Sequence, residues 1–202
     1  MDESPEHLGV REEEVYALSL IYDNLVIKED AISGVLFIPV EMDGYLCVDR
    51  GEEDSRHVRF LPEVSIYFST SPGYPELQGP KIRLKCSWLS EEQLKDTERE
   101  LRTIWEVSRE LCLYNMIDEL TERTKSVFGL RSLDVSQQVF DEIRVFSDNE
   151  ESKRFVSGVY FCEICLENKK GVDCFRLPVC HHIFCKVLSP SKVSLLTDLA
   201  MS

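Results

Sequence analysis

The chain has 202 residues, 43% hydrophobic and 30% charged, with a formal net charge of −14; that balance suits a globular protein with one ordinary domain and a smaller module. Such an acid excess argues against binding a nucleic-acid backbone, which takes clustered Lys and Arg. No apolar run approaches the ~18 residues of a membrane span, and the acidic start MDESPEHLGVREEE lacks a secretion signal, so a cytoplasmic or nuclear protein without a membrane partner is expected.

Residues 1–10 read as a disordered, solvated N-terminus. EEEVYALSLIYDN (Glu12 to Asn24) reads as a helix: Val15, Leu18 and Tyr22 share a stripe that Leu20 and Ile21 widen, and first-turn acids suit the helix dipole. Strand signals follow in GVLFIPVEM (Gly34 to Met42), where Pro39 suggests an edge or bulge, and in GYLCVDR (Gly44 to Arg50). Arg50 to His57 reads as a charged hairpin loop. Val64, Ile66 and Phe68 alternate with polar neighbours in a third strand, and Ile82, Leu84, Cys86 and Trp88 alternate with Lys81, Arg83, Lys85 and Ser87 in a fourth.

Between those strands SPGYPELQGP (Ser71 to Pro80) carries three Pro and two Gly, the makings of a rigid loop. Ser90 and Gln93 form a capping box for a helix whose Leu94, Leu101, Ile104 and Trp105 face inward. A second helix over roughly Glu110 to Phe128 turns Leu113, Ile117, Leu120 and Val127 inward and ends at Gly129. The order helix, four antiparallel strands, two helices predicts an α+β sandwich over residues 11–128. Residues 129–160 read as a linker with one helix candidate, Val135 to Phe146, followed by the polar run SDNEESKR.

Eight cysteines are unevenly placed: Cys47, Cys86 and Cys112 are scattered, and five fall between Cys162 and Cys185. Without a secretion signal the scattered ones read as buried, reduced thiols. The cluster reads as a metal module, because C-x2-C lets two thiolates of one tight turn bind one zinc ion. Cys162, Cys165, Cys180, His182 and Cys185 are the candidate ligands.

Residues 11–128 resemble an RWD domain, an interaction module found in some RING-finger proteins, WD-repeat proteins and helicases. The resemblance rests on the helix EEEVYALSLIYDN, on the YP-x4-P signature Tyr74, Pro75 and Pro80, and on the element order. Residues 161–186 resemble the start of the first RING of the RING-between-RING ubiquitin ligases, a family in which an RWD domain can precede the RINGs. The resemblance implies a cross-brace: Cys162, Cys165 and Cys185 on one zinc, Cys180 and His182 on a second. Leu188 stands where the partner of Cys185 is expected, and no fourth pair follows, so this is expected to be a truncated form with at most one zinc. Cys174 and His181 lie inside the cluster and are possible substitutes. A rearranged single site from Cys162, Cys165, Cys180 and Cys185 also remains open. Residues 187–202, VLSPSKVSLLTDLAMS, read as a divergent tail.

The resemblance further implies a ubiquitin-conjugating enzyme as partner of the full-length family, with Ile164 in the CEIC knuckle as its apolar contact. It places the ubiquitin-accepting Cys in a second RING that these residues do not contain, so no catalytic residue is assigned here. The alternative expectation is a non-catalytic RWD adaptor or competing isoform. Its candidate contacts to a protein partner are the Arg50–His57 hairpin and the strand face Lys81, Arg83 and Lys85. Conjugating activity at Cys86 is not expected, because Cys86 alternates with core residues.

Overall fold

A computed structural model describes residues 9–51, 54–177, 180 and 182–186. These divide into two compact units at Phe146/Ser147. The N-terminal residues before Gly9 and the tail after Lys186 lie outside the described residues, as do His181 and Leu188.

The first unit opens with helix α1 (Val10–Ile21). Val15 and Leu18 are buried, but Leu20 and Ile21 are 70% and 56% exposed, so the inward stripe is narrower than expected. A short strand β1 (Leu25–Ile27), missed in the sequence, pairs with β2 (Ser33–Arg50). The segments 34–42 and 44–50, expected as separate strands, are one 18-residue strand. Its register against β3 (Asp54–Ser69) shifts between Ile38 and Val40, at Pro39, and again between Glu41 and Leu46. The first shift is the irregularity that Pro39 predicts, since proline has no N–H for the ladder. The expected loop Arg50–His57 is therefore mostly strand, because Asp54–Arg50 through His57–Cys47 already pair.

Strand β4 (Lys81–Lys85) completes the antiparallel order β1-β2-β3-β4. Ile82 and Leu84 face the core while Lys81, Arg83 and Lys85 are exposed. Helix α2 (Glu91–Ser108) carries the expected capping box: the Gln93 N–H donates to Ser90 Oγ at 3.2 Å, and the Ser90 N–H donates to Gln93 Oε1 at 2.9 Å. Helix α3 (Leu113–Lys125) buries Leu113, Met116, Ile117 and Leu120. Val127 is buried too, in a 3₁₀ turn beyond it that ends at Gly129, φ +74°. One core takes side chains from α1, the sheet, α2 and α3, with Leu61, Val64, Ile66 and Leu101 fully shielded; Trp88 is 4% exposed, its indole N–H given to the Pro62 carbonyl at 2.8 Å.

The stretch read as a linker is structured. Strand β5 (Ser132–Asp134) pairs in parallel with Cys47–Asp49 of β2, and α4 runs Gln137–Ser157, through the polar run expected to end it. Leu133, Phe140 and Ile143 join the first core. The reason is visible afterwards: Val135, Val139 and Phe140 recur with Ile143 at helical spacing, and SDNEESKR, having no Gly or Pro, continues the helix with Ser147 buried and most of the rest at the surface.

The second unit contains two short hairpins, β6 (Val159–Cys162) with β7 (Glu167–Lys170) and β8 (Cys174–Arg176) with β9 (Ile183–Cys185). Its own small cluster of Cys162, Phe184 and Cys185, with Phe175 and Leu177 alongside, replaces a large core. Gly171 passes so close to α4 that a Cβ there would lie 1.7 Å from the Phe155 carbonyl oxygen.

Candidate functional site

In the first unit the signature residues build a buried joint. Tyr74 is 5% exposed and Pro80 is buried. The Tyr74 hydroxyl donates to Glu14 Oε2 of α1 at 2.8 Å and accepts from the Cys112 N–H at 2.8 Å. Glu14 Oε1 accepts the Leu113 N–H at 2.9 Å. A carboxylate from one helix thus satisfies free N–H groups at the start of another, where a negative charge is favourable. Burial raises the Glu14 carboxyl above its usual range, and the Tyr74, Leu113 and Cys112 hydrogen bonds pull it back. Pro75 is tied from the other side, its carbonyl accepting the Trp105 indole N–H at 2.7 Å. Gly79 lies under the same indole, where a Cβ would meet ring carbons at 2.8 Å. The joint holds no exposed nucleophile and reads as structural.

The thiols of this unit are equally quiet, although Cys47, expected to be buried, is half-buried on β2, where its Sγ donates to Asp49 Oδ1 at 3.2 Å and that bond pushes the thiol up. Burial pushes Cys86 and Cys112 up to about 11, so both are neutral thiols at physiological pH. Strand β4 ends at Lys85, and Cys86 is half-buried beside the core.

In the second unit the structure brings together Cys162, Cys165 and Cys185, whose sulfurs all lie within 4.8 Å of one another. Cys162 ends β6, the turn Glu163–Leu166 returns Cys165 to it, and β9 delivers Cys185. The turn closes by a Leu166 N–H to Cys162 carbonyl bond of 2.8 Å. Two sulfurs of a tetrahedral site with Zn–S near 2.3 Å stand ~3.8 Å apart; Cys165 and Cys185 stand 3.7 Å apart. Burial pushes the Cys162 thiol up, but the N–H groups of Cys165, Cys185 and Ile164 outweigh it and bring it down to about 6. Cys165 goes the other way, through burial and the neighbouring sulfurs of Cys162 and Cys185. Sulfurs that share a proton in this way, ordered by backbone N–H groups, suit a soft divalent cation. The donor set fits zinc.

Cys180 and His182 lie apart from that cluster and pair with each other: the His182 side chain lowers the Cys180 thiol, and Cys180 raises the His182 imidazole. Cys174 is buried opposite Cys185 in the β8–β9 hairpin without joining the three sulfurs. Ile164 sits in the turn between Cys162 and Cys165, 39% exposed, and Leu166 beside it is 70% exposed. Among the described residues no helix is long and apolar enough to cross a membrane.

An α+β sandwich braced by a buried tyrosine-proline loop, followed by a small cysteine-knuckle module, defines a class of modular interaction proteins. The sequence matches the RWD domain family over residues 10–124, and the chain belongs to that family. It is also similar to the E3 ubiquitin-protein ligase itt1 of Schizosaccharomyces pombe, 28% identical across 86% of this chain and 42% of that protein. Two further relatives carry the name E3 ubiquitin-protein ligase RNF14. The one from Danio rerio is 21% identical across 87% of this chain and 48% of that protein. The one from Mus musculus is 24% identical across 91% and 50%. The chain spans about half the length of the curated relatives it matches.

Proposed function

We propose that this chain is a ubiquitin-pathway protein of the RING-between-RING ligase family, in which the RWD unit holds a protein partner and residues 161–186 form the leading part of the first RING. The observation that carries the reading is the Cys162, Cys165 and Cys185 cluster behind an RWD unit, in a chain whose relatives are named ubiquitin ligases. The three thiolates would hold one zinc ion, with the fourth position taken by water or another donor; the ion would fix the CEIC turn. Ile164, half-exposed at that turn, is the apolar contact for a ubiquitin-conjugating enzyme.

Within these residues the ligase reading assigns recruitment rather than chemistry. A thioester-forming cysteine must be an accessible thiolate; Cys112 is buried and Cys86 half-buried, both pushed up to about 11, and the half-buried Cys47 is raised by its hydrogen bond to Asp49. The same observation favours the second reading, an RWD adaptor that competes for partners without ligase activity.

The test uses the purified 202-residue chain. Elemental analysis is expected to find up to one zinc per chain. Immobilised chain is expected to retain one or more members of a panel of ubiquitin-conjugating enzymes, with at least ~10-fold loss in Ile164→Ala. Incubation with activating and conjugating enzymes is expected to leave no reducible ubiquitin adduct. Two tightly held zinc ions, or no retention of any conjugating enzyme, would overturn the reading; a reducible adduct would overturn the assignment of recruitment alone.

A further inference from the structure

In a chain of net charge −14, the arrangement of the basic residues is uneven. Most of the cations of the first unit's helices are paired with carboxylates: Lys95 with Glu91, Arg99 with Asp96, Arg123 with Glu100 and Glu119, Arg144 with Asp141. Lys81, Arg83 and Lys85 make no ion pair among the described residues, although each is exposed on one face of β4. It is the face opposite the one from which Ile82 and Leu84 enter the core, and at the β4 edge Arg83 and Lys85 also border a cavity lined by Glu91 and Glu98 of α2. Across that face the register aligns Arg83 with Tyr67, Val35 and Val26, and Lys85 with Ser65 and Phe37. Val26 is 55% exposed, while Val35, Phe37 and Tyr67 are half-buried and belong to neither core cluster. Lys85 lies with its Nζ 4.8 Å from the centre of the Tyr67 ring. Lys28 joins Lys81 and Arg83 around a shallow depression of about 190 Å³ beside Tyr67 and Ser69.

We infer that this open sheet face docks an extended acidic segment of a partner protein, with carboxylates on Lys81, Arg83 and Lys85 and apolar side chains on Tyr67, Val35 and Val26. The inference rests on the partner-holding role proposed for the RWD unit and names the chemistry of that partner. Alternate residues of β4 stand ~6.8 Å apart, the same spacing as alternate residues of an extended peptide laid alongside it. Such a peptide can set every second side chain against the cations, while the apolar residues Tyr67, Val35 and Val26 run across the strands from Arg83 and take apolar side chains at that level. Charge selects the class of ligand. A long polyanion or an anionic bilayer meets the repulsion of the whole acidic chain, whereas a short acidic segment samples only the patch, within a Debye length of ~8–10 Å.

The test is fluorescence anisotropy with the full chain and a short labelled peptide alternating Glu with Val, against its Gln-for-Glu counterpart. The Gln peptide is expected to bind at least ~10-fold more weakly. Joint Lys81→Glu, Arg83→Glu and Lys85→Glu, at exposed positions and checked for an unchanged melt, is expected to cost ~10- to 100-fold in affinity, three exposed ion pairs of ordinary strength. Arg83→Glu alone serves if the triple variant does not fold, and is expected to cost about fivefold. Arg99→Glu on α2, 74% exposed, is expected to leave binding unchanged. Equal binding of both peptides, or indifference of a folded reversal variant, would overturn the inference. So would tighter binding of a heparin oligosaccharide or single-stranded DNA, which assigns the face to another class. A tenfold gain on deleting residues 1–8 would also overturn it, by making the chain's own acidic N-terminus the occupant. Retention of conjugating enzymes through Ile164 is measured in parallel. Its loss with peptide binding intact would sink the ubiquitin reading alone.

Discussion

Replacing Tyr74 by Phe removes one oxygen atom and nothing else from the first unit, so its effect isolates the joint between α1 and α3. The hydroxyl gives a charge-assisted hydrogen bond to Glu14 and receives the Cys112 N–H, each at 2.8 Å. A bond to a charged group contributes ~1.5–3 kcal/mol, and a buried N–H left without an acceptor costs ~1–3 kcal/mol. The two overlap, because Glu14 can shift toward the freed N–H, so the net loss should be ~2–4 kcal/mol. With a urea m-value of ~2 kcal/mol/M the midpoint falls by ~1–2 M, readable from the fluorescence of the buried Trp88. The pH dependence sharpens the test. Burial raises the folded carboxyl of Glu14 above its unfolded value of 4.5, and the Tyr74 bond limits the rise. A raised folded pKa means that the stabilisation is fully present below the unfolded value and lost as pH climbs through the folded one. Tyr74→Phe lifts that folded pKa further, so its penalty should be larger at pH 7.5 than at pH 4.5. An unchanged midpoint, or a penalty that grows on acidification, would refute the assignment of the joint.

Trp105→Ala should lower stability by ~2–4 kcal/mol, at the modest end for an aromatic because the indole is half-buried and chiefly braces Pro75 and Gly79; an unchanged urea midpoint would show that the brace is idle. Gly171→Ala places a methyl 1.7 Å from the Phe155 carbonyl oxygen and should abolish zinc binding while the Trp88 transition of the first unit stays put; zinc retained at wild-type stoichiometry would refute the packing. Native protein treated with iodoacetamide at pH 8 should leave Cys86 and Cys112 unmodified until urea is added, both thiols being neutral with pKa pushed up to about 11; peptide mass spectrometry reads the outcome.

Much of the first unit could be read before its coordinates, because its signals are local. The alternation of Ile82 and Leu84 with lysines and arginine, the Ser90–Gln93 capping box and the Tyr74–Pro80 loop each involve residues a few positions apart. What failed involved distance along the chain. Leu133 gains its burial from β2, some 85 positions earlier by the Val48–Leu133 register, and nothing within Ser132–Asp134 announces that partner. β1 is three residues long, too short for a period-two pattern to rise above its neighbours. Spacing places Leu20 and Ile21 beside the inward stripe of α1, yet only Val15 and Leu18 of that helix are buried. In the second unit the C-x2-C spacing pairs Cys162 with Cys165, the RING resemblance adds Cys185 to them, and these three sulfurs lie together. The opposite proton affinities of Cys162 and Cys165 were not legible, since they depend on which backbone N–H groups point at which sulfur.

The parallel seam between β2 and β5 bears on how this protein is made and handled. A ribosome releases β2 long before residue 132 emerges, so the nascent sheet waits with the outer edge of Cys47–Asp49 open, a template for pairing with another chain. The same exposure would follow from cutting a fragment at the end of the family match, residue 124, since that also strips Leu133, Phe140 and Ile143 from the core. A fragment ending near Phe146 keeps the seam closed, and the contrast in aggregation between the two lengths measures how much β5 and the first turns of α4 act as a built-in chaperone for the sheet.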